Sequence, residues 1–450
     1  MSPEAIISEL KNYPGGKVKV AITDIDGILR GKVLHIDKFL SSLDGGFGFC
    51  DVIFGWDAAD VCYDNAEITG WHSGYPDTNA VIDLGTFRKV PWDGQIPFFL
   101  ADFSDKDGKA LSICPRGILK KIKREAEHDG FEAFFAQEFE WFNFRETSQS
   151  LHDSGFVQPE PITRGMFGYS VLRASQNKEF FHDLFDFFKA FNVPLEGLHT
   201  ETGPGVYEAA ILYDDILESA DRAVLFKSGT KEIGHLHGIV PSFMAKWHDD
   251  YPGCGGHVHQ SLWRDGVNSF YDPQGNQGMS KIMESYVAGL LHCLPQFLPM
   301  YAPTINSYKR LVEGAWAPTT LTWAVDNRTV AVRALPGAEK SSRIEFRVTG
   351  SDCNPYLAMA ANLASGLYGI RNNLNLDVAE TVGNGYADKA NGILPRNLME
   401  ATDIMRGSQI AIEMFGGDFV THFCNTREWE WRQFQSKVTD WEMKRYFEII

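Results

Sequence analysis

The sequence lacks the features that mark a disulfide-linked, secreted or membrane-embedded protein. Its seven cysteines are an odd number and form no Cys-x-x-Cys pair, which favours reduced thiols in a cytosol over a disulfide framework. No apolar run reaches the roughly 18 residues that a membrane helix needs. Residues 1–11 contain no apolar stretch of the kind found in secretion signals. We therefore expect a cytoplasmic protein without a membrane partner.

Basic clusters and the common nucleotide-binding loops are also missing. The net charge of −17 is accompanied by no basic run, which argues against a nucleic-acid partner. The chain has no Gly-x-x-x-x-Gly-Lys-Ser/Thr loop, and no Gly-x-Ser-x-Gly or Gly-x-Gly-x-x-Gly at a strand-to-helix turn. What remains is a chain of 450 residues with 44% hydrophobic and 22% charged residues, which is the composition of a globular protein of more than one domain.

An acidic strand stands out between Phe135 and Phe142. Glu138 and Glu140 are two residues apart, so in an extended strand both carboxylates face one side while Phe139 faces the other. Two like charges side by side on an apolar strand cost free energy unless a cation lies between them. The sequence thus suggests a site for a hard divalent ion, Mg²⁺ or Mn²⁺. The alternative is an edge strand with both acids in water.

Further acids and a histidine sit at strand-like positions later in the chain. Glu201 and Glu208 flank a Gly-Pro-Gly turn, Glu345 lies in an Arg-rich run, and His257 follows two glycines. Neutral imidazole is a common metal ligand. Together with the acidic strand, these residues could hold two ions with three ligands each: Glu138, Glu140, Glu201, Glu208, His257 and Glu345.

The region 306–347 is Arg-rich and is predicted to be strand-like. Guanidinium groups bind phosphate or carboxylate through paired hydrogen bonds, and metals combined with arginines are the usual apparatus of phosphoryl transfer from ATP. Taken singly, each of these side chains could be a surface residue, and a metal-assisted hydrolase is the second chemistry that the residues allow. The cationic set is Arg310, Arg328, Arg333, Lys340, Arg343 and Arg347.

The pattern of the chain predicts two units. Residues 17–35 read as a β-hairpin around Asp26 and Gly27, and strand-like runs at 80–90 and 97–103 complete a small β-rich unit. A turn at 104–108 separates it from a helix that begins at Pro115. Later helices are predicted at 177–191, 214–232, 279–294, 354–371 and 396–415, with parts of 427–447. We expect an α+β protein with domains at 1–108 and 109–450.

Four motifs resemble the glutamine synthetase superfamily, of the type I kind, from about residue 17 to the C-terminus. They are Glu138-Phe-Glu140, Glu201-x6-Glu208, Gly255-Gly-His257-Val-His259-Gln-Ser261-Leu, and Asn306-Ser-Tyr-Lys-Arg310-Leu with the basic residues up to Arg347. Their agreement in this order is highly specific. The resemblance implies a β-grasp-like N-terminal domain, a larger α/β catalytic domain, and stacked rings, often dodecamers, in which a neighbour's N-terminal domain completes each active site.

The resemblance also implies a role for each matching residue, with ATP as co-substrate, L-glutamate as substrate and two or more Mg²⁺ or Mn²⁺ ions. Glu140, Glu201 and Glu208 would bind one metal, and Glu138, His257 and Glu345 a second. Arg310 and Arg347 would hold glutamate, and Arg328 the phosphoryl group. Ser261, Arg333, Lys340 and Arg343 would contact the nucleotide.

The departures from the family pattern fall on the ammonia side of the site. Trp316 stands where ammonia-using members carry a Glu that helps to deprotonate ammonium, and an indole cannot take a proton. Glu313 could swing in as a substitute. Pro252 and Val206 replace an Asn and a Gln near the glutamate. Asp57 aligns with the family's proton-accepting Asp, although the residues after it differ.

These departures favour a γ-glutamyl-amine ligase, the branch that includes polyamine and alkylamine enzymes. ATP, L-glutamate and an organic amine would give a γ-glutamylamide through γ-glutamyl phosphate, with Trp316 against the carbon skeleton of the amine and Asp57 accepting a proton. A polyamine would need acids nearby, and Asp60, Asp64 and Glu67 could supply them. The alternatives are glutamine synthesis from ammonia, another acid in the glutamate position, and a non-catalytic scaffold of the same fold.

Overall fold

The computed structural model of the chain describes residues 1–450 and begins with a five-stranded sheet. The strand order is β2-β1-β5-β4-β3, in which β1 is parallel to β5 and the other pairs are antiparallel. The predicted hairpin is confirmed, since β1 and β2 pair from Lys17 opposite His35 to Thr23 opposite Leu29. The elements are α1 (Pro3–Lys11), β1 (Lys17–Thr23), β2 (Leu29–His35), α2 (Ile36–Ser41), β3 (Phe47–Cys50), β4 (Asp77–Val90) and β5 (Ile96–Ser104).

A second, larger sheet and most of the helices follow. The elements are α3 (Pro115–His128), β6 (Glu132–Phe144), α4 (Ser148–Asp153), α5 (Val171–Gln176), α6 (Lys178–Ala190), β7 (Leu195–Thr200), β8 (Val206–Ile211), β9 (Asp214–Asp215), α7 (Ile216–Leu236), β10 (Val240–Ser242), β11 (Val258–Arg264), β12 (Val267–Asn268), α8 (Lys281–Tyr301), α9 (Ser307–Arg310), β13 (Trp323–Val325), β14 (Val332–Leu335), β15 (Arg343–Phe346), α10 (Pro355–Arg371), α11 (Leu398–Arg406), α12 (Gln409–Phe415), α13 (Gly417–Gln435) and α14 (Asp440–Tyr446). The α+β fold class is as expected. The boundary predicted at 108 falls in the loop between β5 and α3, and the division into two domains stays a prediction.

The ten-stranded sheet places β6 at its centre. Its main path runs β13-β14-β15-β11-β6-β8-β7, and the short strands β9 and β10 pair with β6 while β12 pairs with β11. Burial alternates along β6, so Phe135 and Phe139 are buried on one face and Glu138 and Glu140 lie on the other. This alternation is what the acidic strand motif predicts.

Helix α7 covers the apolar face of β6. The ring of Phe139 lies 5.9 Å from that of Phe226 on α7, and the two rings are stacked. Each aromatic ring buried in this way contributes about 1.5–3 kcal/mol to stability. Because that face is filled with aromatic packing, the carboxylates of β6 are left on the opposite face, which stays open for chemistry.

The N-terminal unit is bonded to the start of α10. Asn354 donates through Nδ2 to the carbonyl oxygens of Asp24 at 3.1 Å and Ile25 at 3.2 Å. Gly27 in the hairpin turn has φ +83°, and a Cβ there would lie 3.0 Å from the Cα of Asn354. Glycine at this turn therefore meets both the positive φ and the close approach of the two units.

The segment 56–65, which we call the Asp57 loop, is held by helix α13. Trp429 donates through Nε1 to Oδ2 of Asp57 at 2.9 Å. The side-chain amides of Asn65 and Asn425 each donate to the other's backbone carbonyl at 2.9 Å. The Asp57 loop is thus attached to the C-terminal part of its own chain.

Two predictions of local structure are wrong in detail. The region 306–347 forms only the short strands β13 to β15 and the helix α9, and loops occupy the rest. The predicted helix at 396–415 is two helices that meet at Gly407 and Ser408, where Ser408 caps α12 by accepting from the amide of Ala411. No helix of the structure has the length and apolar character required to cross a membrane.

Candidate active site

Acids face one another across neighbouring strands on the open face of the large sheet. Glu140 on β6 lies directly opposite Glu208 on β8, and His199 on β7 lies opposite Glu208 from the other side. Like charges placed directly opposite in a sheet are destabilising. The register therefore builds an acidic row that a cation between the strands would stabilise.

The first candidate metal group consists of His199, Glu201 and Glu208, whose ligand atoms all lie within 4.8 Å of one another. Burial, followed by the neighbouring carboxylates of Glu138 and Glu140, raises the pKa of Glu208 to about 10. Glu140 closes this side of the group and accepts from the amide of Gly255 through Oε2 at 2.6 Å. A divalent cation would offset the repulsion that is expressed in the pKa of Glu208.

The second candidate group consists of Glu138, His259 and Glu345, again within 4.8 Å of one another. Nδ1 of His257 lies 3.2 Å from Oε1 of Glu138 and 3.4 Å from Oε1 of Glu345. Burial would raise the pKa of Glu345, but nearby His257 and Arg347 outweigh it and bring the value to about 2. Glu345 is therefore held as a carboxylate.

The residues present fit two divalent ions. Both groups offer carboxylate oxygens and imidazole nitrogens, a set that suits Mg²⁺ or Mn²⁺. The ring nitrogen of His257 that faces the carboxylates of Glu138 and Glu345 is Nδ1, and in neutral imidazole this nitrogen can serve as a further metal ligand.

Two histidines in these groups were missed by the sequence analysis. His259 follows His257 by two residues, and His199 precedes Glu201 by two. The spacing that drew attention to Glu138 and Glu140 was therefore present in both places. The sheet register, which brings His259 opposite Glu345, could not be read from either motif.

A cavity of about 430 Å³ opens on this face of the sheet. It brings together nine of the residues predicted for the site: Glu138, Glu140, Glu201, Glu208, His257, Arg310, Trp316, Arg328 and Arg347. The carboxylates and the three guanidinium groups thus line one space, which is the arrangement that an anionic substrate bound through metals requires.

The arginines of this cavity are fixed by backbone carbonyls and by Glu345. Arg310 is buried and donates to the carbonyl oxygens of Val348 at 2.8 Å and Arg347 at 3.2 Å. Burial lowers the pKa of Arg310. Arg347 donates to Oε1 of Glu345 at 2.5 Å and to the carbonyl oxygen of Arg328 at 3.0 Å. These contacts hold the guanidinium groups in place at the cavity wall.

A second cavity of about 440 Å³ shares Glu138 with the first. Ser261, Lys340 and Arg343 line it, as expected for a nucleotide site, and so do four aromatic residues, Phe134, Phe135, Tyr213 and Trp263. Phe134 packs edge-on against Trp263 at 5.9 Å and Tyr213 at 6.3 Å. Flat aromatic surfaces beside basic residues suit a purine base and its phosphates. Sequence analysis missed the aromatic part because core packing has the same signature.

Arg333 lines neither cavity. It donates to Oε2 of Glu345 at 2.8 Å and pairs with Asp326 at 2.5 Å. The structure therefore places this predicted nucleotide contact behind the second metal group, where it neutralises Glu345.

Residues 311–318 form a loop over the first cavity, which we call the flap loop. Trp316 lies on it at φ +59° with 59% of its surface exposed, and it lines the cavity together with Ala315. A positive φ is uncommon for a bulky residue and marks local strain. Glu313, the acid that could have replaced the missing Glu, pairs with Lys389 at 2.6 Å and does not line the cavity.

Asp57 is the one predicted catalytic residue that lies away from both cavities of its own chain. Its Oδ1 accepts from the amides of Ala59 at 2.9 Å and Val61 at 3.0 Å, and its Oδ2 accepts from Trp429.

A metal-ligating sheet face with an arginine wall and a neighbouring aromatic cavity is typical of a phosphoryl-transferring ligase, and comparison with known proteins identifies the family. The model of the glutamine synthetase catalytic domain matches residues 112–446. Type-1 glutamine synthetase 2 of Dictyostelium discoideum is 53% identical over 99% of this chain and 86% of its own length. Glutamate–isopropylamine ligase of a Pseudomonas species is 36% identical over 96% of this chain and 95% of its own length. The structure of the GmaS/ADP complex superposes with a TM-score of 0.85 at 25% identity, covering 98% of this chain and 99% of that one. The chain belongs to the glutamine synthetase family.

Proposed function

We propose that this protein is an ATP-dependent ligase that joins L-glutamate to an organic amine. The γ-carboxylate of glutamate attacks the γ-phosphorus of ATP, which gives γ-glutamyl phosphate and ADP. The amine nitrogen then attacks the γ-carbonyl carbon, loses a proton, and phosphate leaves. The observation that carries the proposal is Trp316, an uncharged side chain on the flap loop of a cavity that is also lined by carboxylates and by Arg310, Arg328 and Arg347.

The phosphoryl-transfer half uses the charged lining of the two cavities. Arg310 and Arg347 hold the carboxylate of glutamate, and Arg328 neutralises the charge that develops on the transferred group. Ser261, Lys340 and Arg343 bind the nucleotide, with Arg333 supporting Glu345. Bound Mg²⁺ or Mn²⁺ would neutralise phosphate charge between the two carboxylate groups.

The amine half uses the uncharged lining of the first cavity. Trp316, Ala315, Val206 and Pro252 all line it, and an indole adds a large flat apolar surface against which a carbon skeleton packs. The relative from Pseudomonas, named for isopropylamine, supports an organic amine as acceptor.

The proton of the amine requires a base, and we assign that role to Asp57 of a neighbouring subunit. The Asp57 loop is ordered on its own chain but lies outside its own cavities, which suits a homo-oligomer of stacked rings, such as a dodecamer, in which the N-terminal unit of residues 1–108 faces the next catalytic unit of residues 109–450. The seven cysteines are all free thiols, which suits the cytoplasm.

Glutamine synthesis from ammonia is the second candidate, and it is favoured by the name of the Dictyostelium relative. Phosphate release from ATP with Mg²⁺ and L-glutamate separates the two candidates, measured with ammonium, methylamine, isopropylamine, ethanolamine, putrescine, spermidine and aniline. We expect one organic amine to exceed ammonium in kcat/KM by about 100-fold or more, since an apolar wall rewards a carbon skeleton. Preference for ammonium would overturn the proposal. If none of these amines stimulates phosphate release, the result would point to another acid substrate.

A further inference from the structure

A carboxylate that is not already paired could select a polyamine by binding its distal ammonium. Whether the acids near the acceptor position are paired therefore indicates which class of amine the site accepts. Four carboxylates line the first cavity, and all of them belong to the two metal groups or close them. The remaining charged groups of that lining are cationic, namely Arg310, Arg328 and Arg347, with His257 beside Glu138. A second ammonium on the substrate would therefore need an acid from elsewhere.

The acids of the Asp57 loop are already paired. Asp60 accepts from Arg30 at 2.7 Å, and Asp64 accepts from Arg432 at 3.0 Å through Oδ2. Asp57 accepts three hydrogen bonds, two from backbone amides and one from Trp429. Each of these three carboxylates is thus neutralised or saturated with donors within its own chain. Glu67, two residues after the Asp57 loop, is exposed and forms no salt bridge, so it is the one acid of this region left to pair with a distal ammonium.

The flap loop offers no free acid. Glu313 is three residues before Trp316, and its carboxylate pairs with Lys389 at 2.6 Å. What the flap loop presents to the cavity is Ala315 and the indole of Trp316. An unpaired ammonium placed against such a wall loses hydration without gaining a partner.

We propose that the acceptor is a monoamine whose substituent carries no charge, rather than a diamine or polyamine. This inference rests on the proposed function and narrows it. The substituent packs along Trp316, Ala315, Val206 and Pro252, while the single amino group faces the acidic side of the cavity. An indole can also attract a cation through its ring face, and in that role Trp316 would favour a diamine, so the experiment must separate the two.

Matched amines of equal chain length isolate the distal charge. The purified full-length protein is assayed for phosphate release with Mg²⁺, ATP and L-glutamate, comparing n-butylamine with putrescine and n-propylamine with 1,3-diaminopropane. We expect each monoamine to exceed its diamine in kcat/KM by about tenfold or more, because a desolvated ammonium without a partner weakens binding by this order. A diamine that equals or exceeds its monoamine, while organic amines still exceed ammonium, overturns this inference alone. Ammonium exceeding every organic amine overturns the proposed function and the inference together.

Introducing a carboxylate at position 316 gives a second, independent test of whether the distal ammonium meets this wall. Trp316→Glu supplies an acid at the wall, and Trp316→Gln is its uncharged control on the same exposed loop. We expect the putrescine-to-butylamine ratio of kcat/KM to rise by up to about fivefold in the Glu variant relative to the Gln variant, since an ion pair at an exposed position is worth up to about 1 kcal/mol. Equal ratios in the two variants would contradict the proposal, because the distal charge would then not meet this wall.

Discussion

The floor and the roof of the first cavity are built in opposite ways. The floor is a run of paired strands in which Glu140 and Glu208 are fixed by register and by aromatic packing behind β6. The roof is the flap loop, where Trp316 is 59% exposed and its backbone is held at a positive φ. The candidate metal groups thus sit on the part that strand pairing and core packing hold in place, and Trp316 sits on the part with few packing constraints.

This difference teaches where specificity can change without loss of the fold. A substitution on β6 must satisfy both the sheet and the core behind it, whereas one on the flap loop meets mostly solvent. The predictions below test the contrast from the floor to the roof.

Loss of a floor carboxylate is expected to have the largest effect. Glu140→Ala should lower phosphate release by about 10³-fold, because a metal contributes several kcal/mol to stabilising the developing charge and each 1.36 kcal/mol is tenfold. Glu132→Gln is the control, since Glu132 lies exposed at the start of the same strand. Size-exclusion chromatography should show unchanged assembly in both variants. If assembly alone suffers in Glu140→Ala, the result would instead favour a scaffold role.

Loss of the roof side chain should be smaller and selective. Trp316→Ala is expected to lower kcat/KM for the preferred organic amine by about 10–100-fold while KM for ATP and glutamate stays within about twofold, because only the apolar wall is removed. Trp441→Ala is the control, since Trp441 is also 59% exposed but lies on α14. Equal losses for all three substrates would show that the flap loop serves general closure rather than amine choice.

The effect of Mg²⁺ on thermal stability is expected to depend on the floor of the cavity and not on its roof. Adding Mg²⁺ to chelator-treated protein should raise Tm by roughly 3 °C at saturating concentration, because the ion binds only the folded carboxylate groups. Glu208→Gln should remove most of this rise, and Trp316→Ala should leave it unchanged. Differential scanning fluorimetry measures all three, and an equal rise in Glu208→Gln would place the ion elsewhere.

Freeing Glu313 should have the smallest effect. Lys389→Ala breaks its half-exposed ion pair with Glu313, and such pairs contribute only about 0–1 kcal/mol. We expect the ratio of organic-amine to ammonium kcat/KM to stay within about twofold. A tenfold shift towards ammonium would show that Glu313 acts as the missing acid after all.

The sequence carried the local part of the site and missed the long-range part. Alternation along β6 placed Glu138 and Glu140 on one face without any knowledge of the fold. His259 and Glu345 are 86 residues apart in the sequence and are brought together by the pairing of β11 with β15. The hydrogen bond from Trp429 to Asp57 joins residues that are 372 positions apart. The local periodicity of a sequence carries no information about pairing between distant strands. For the same reason the position of His199 beside Glu208 was missed.

The attachment of the Asp57 loop to α13 has a consequence for assembly. A segment that becomes ordered only on association loses side-chain and backbone freedom at that moment, at a cost of about 0.5–1.5 kcal/mol for each immobilised side chain. Here Trp429 and Asn425 order the loop during folding of a single chain. In the oligomer proposed above, a neighbouring copy that receives this loop would meet a preorganised surface, and the affinity between subunits would not be reduced by disorder in the segment that carries Asp57.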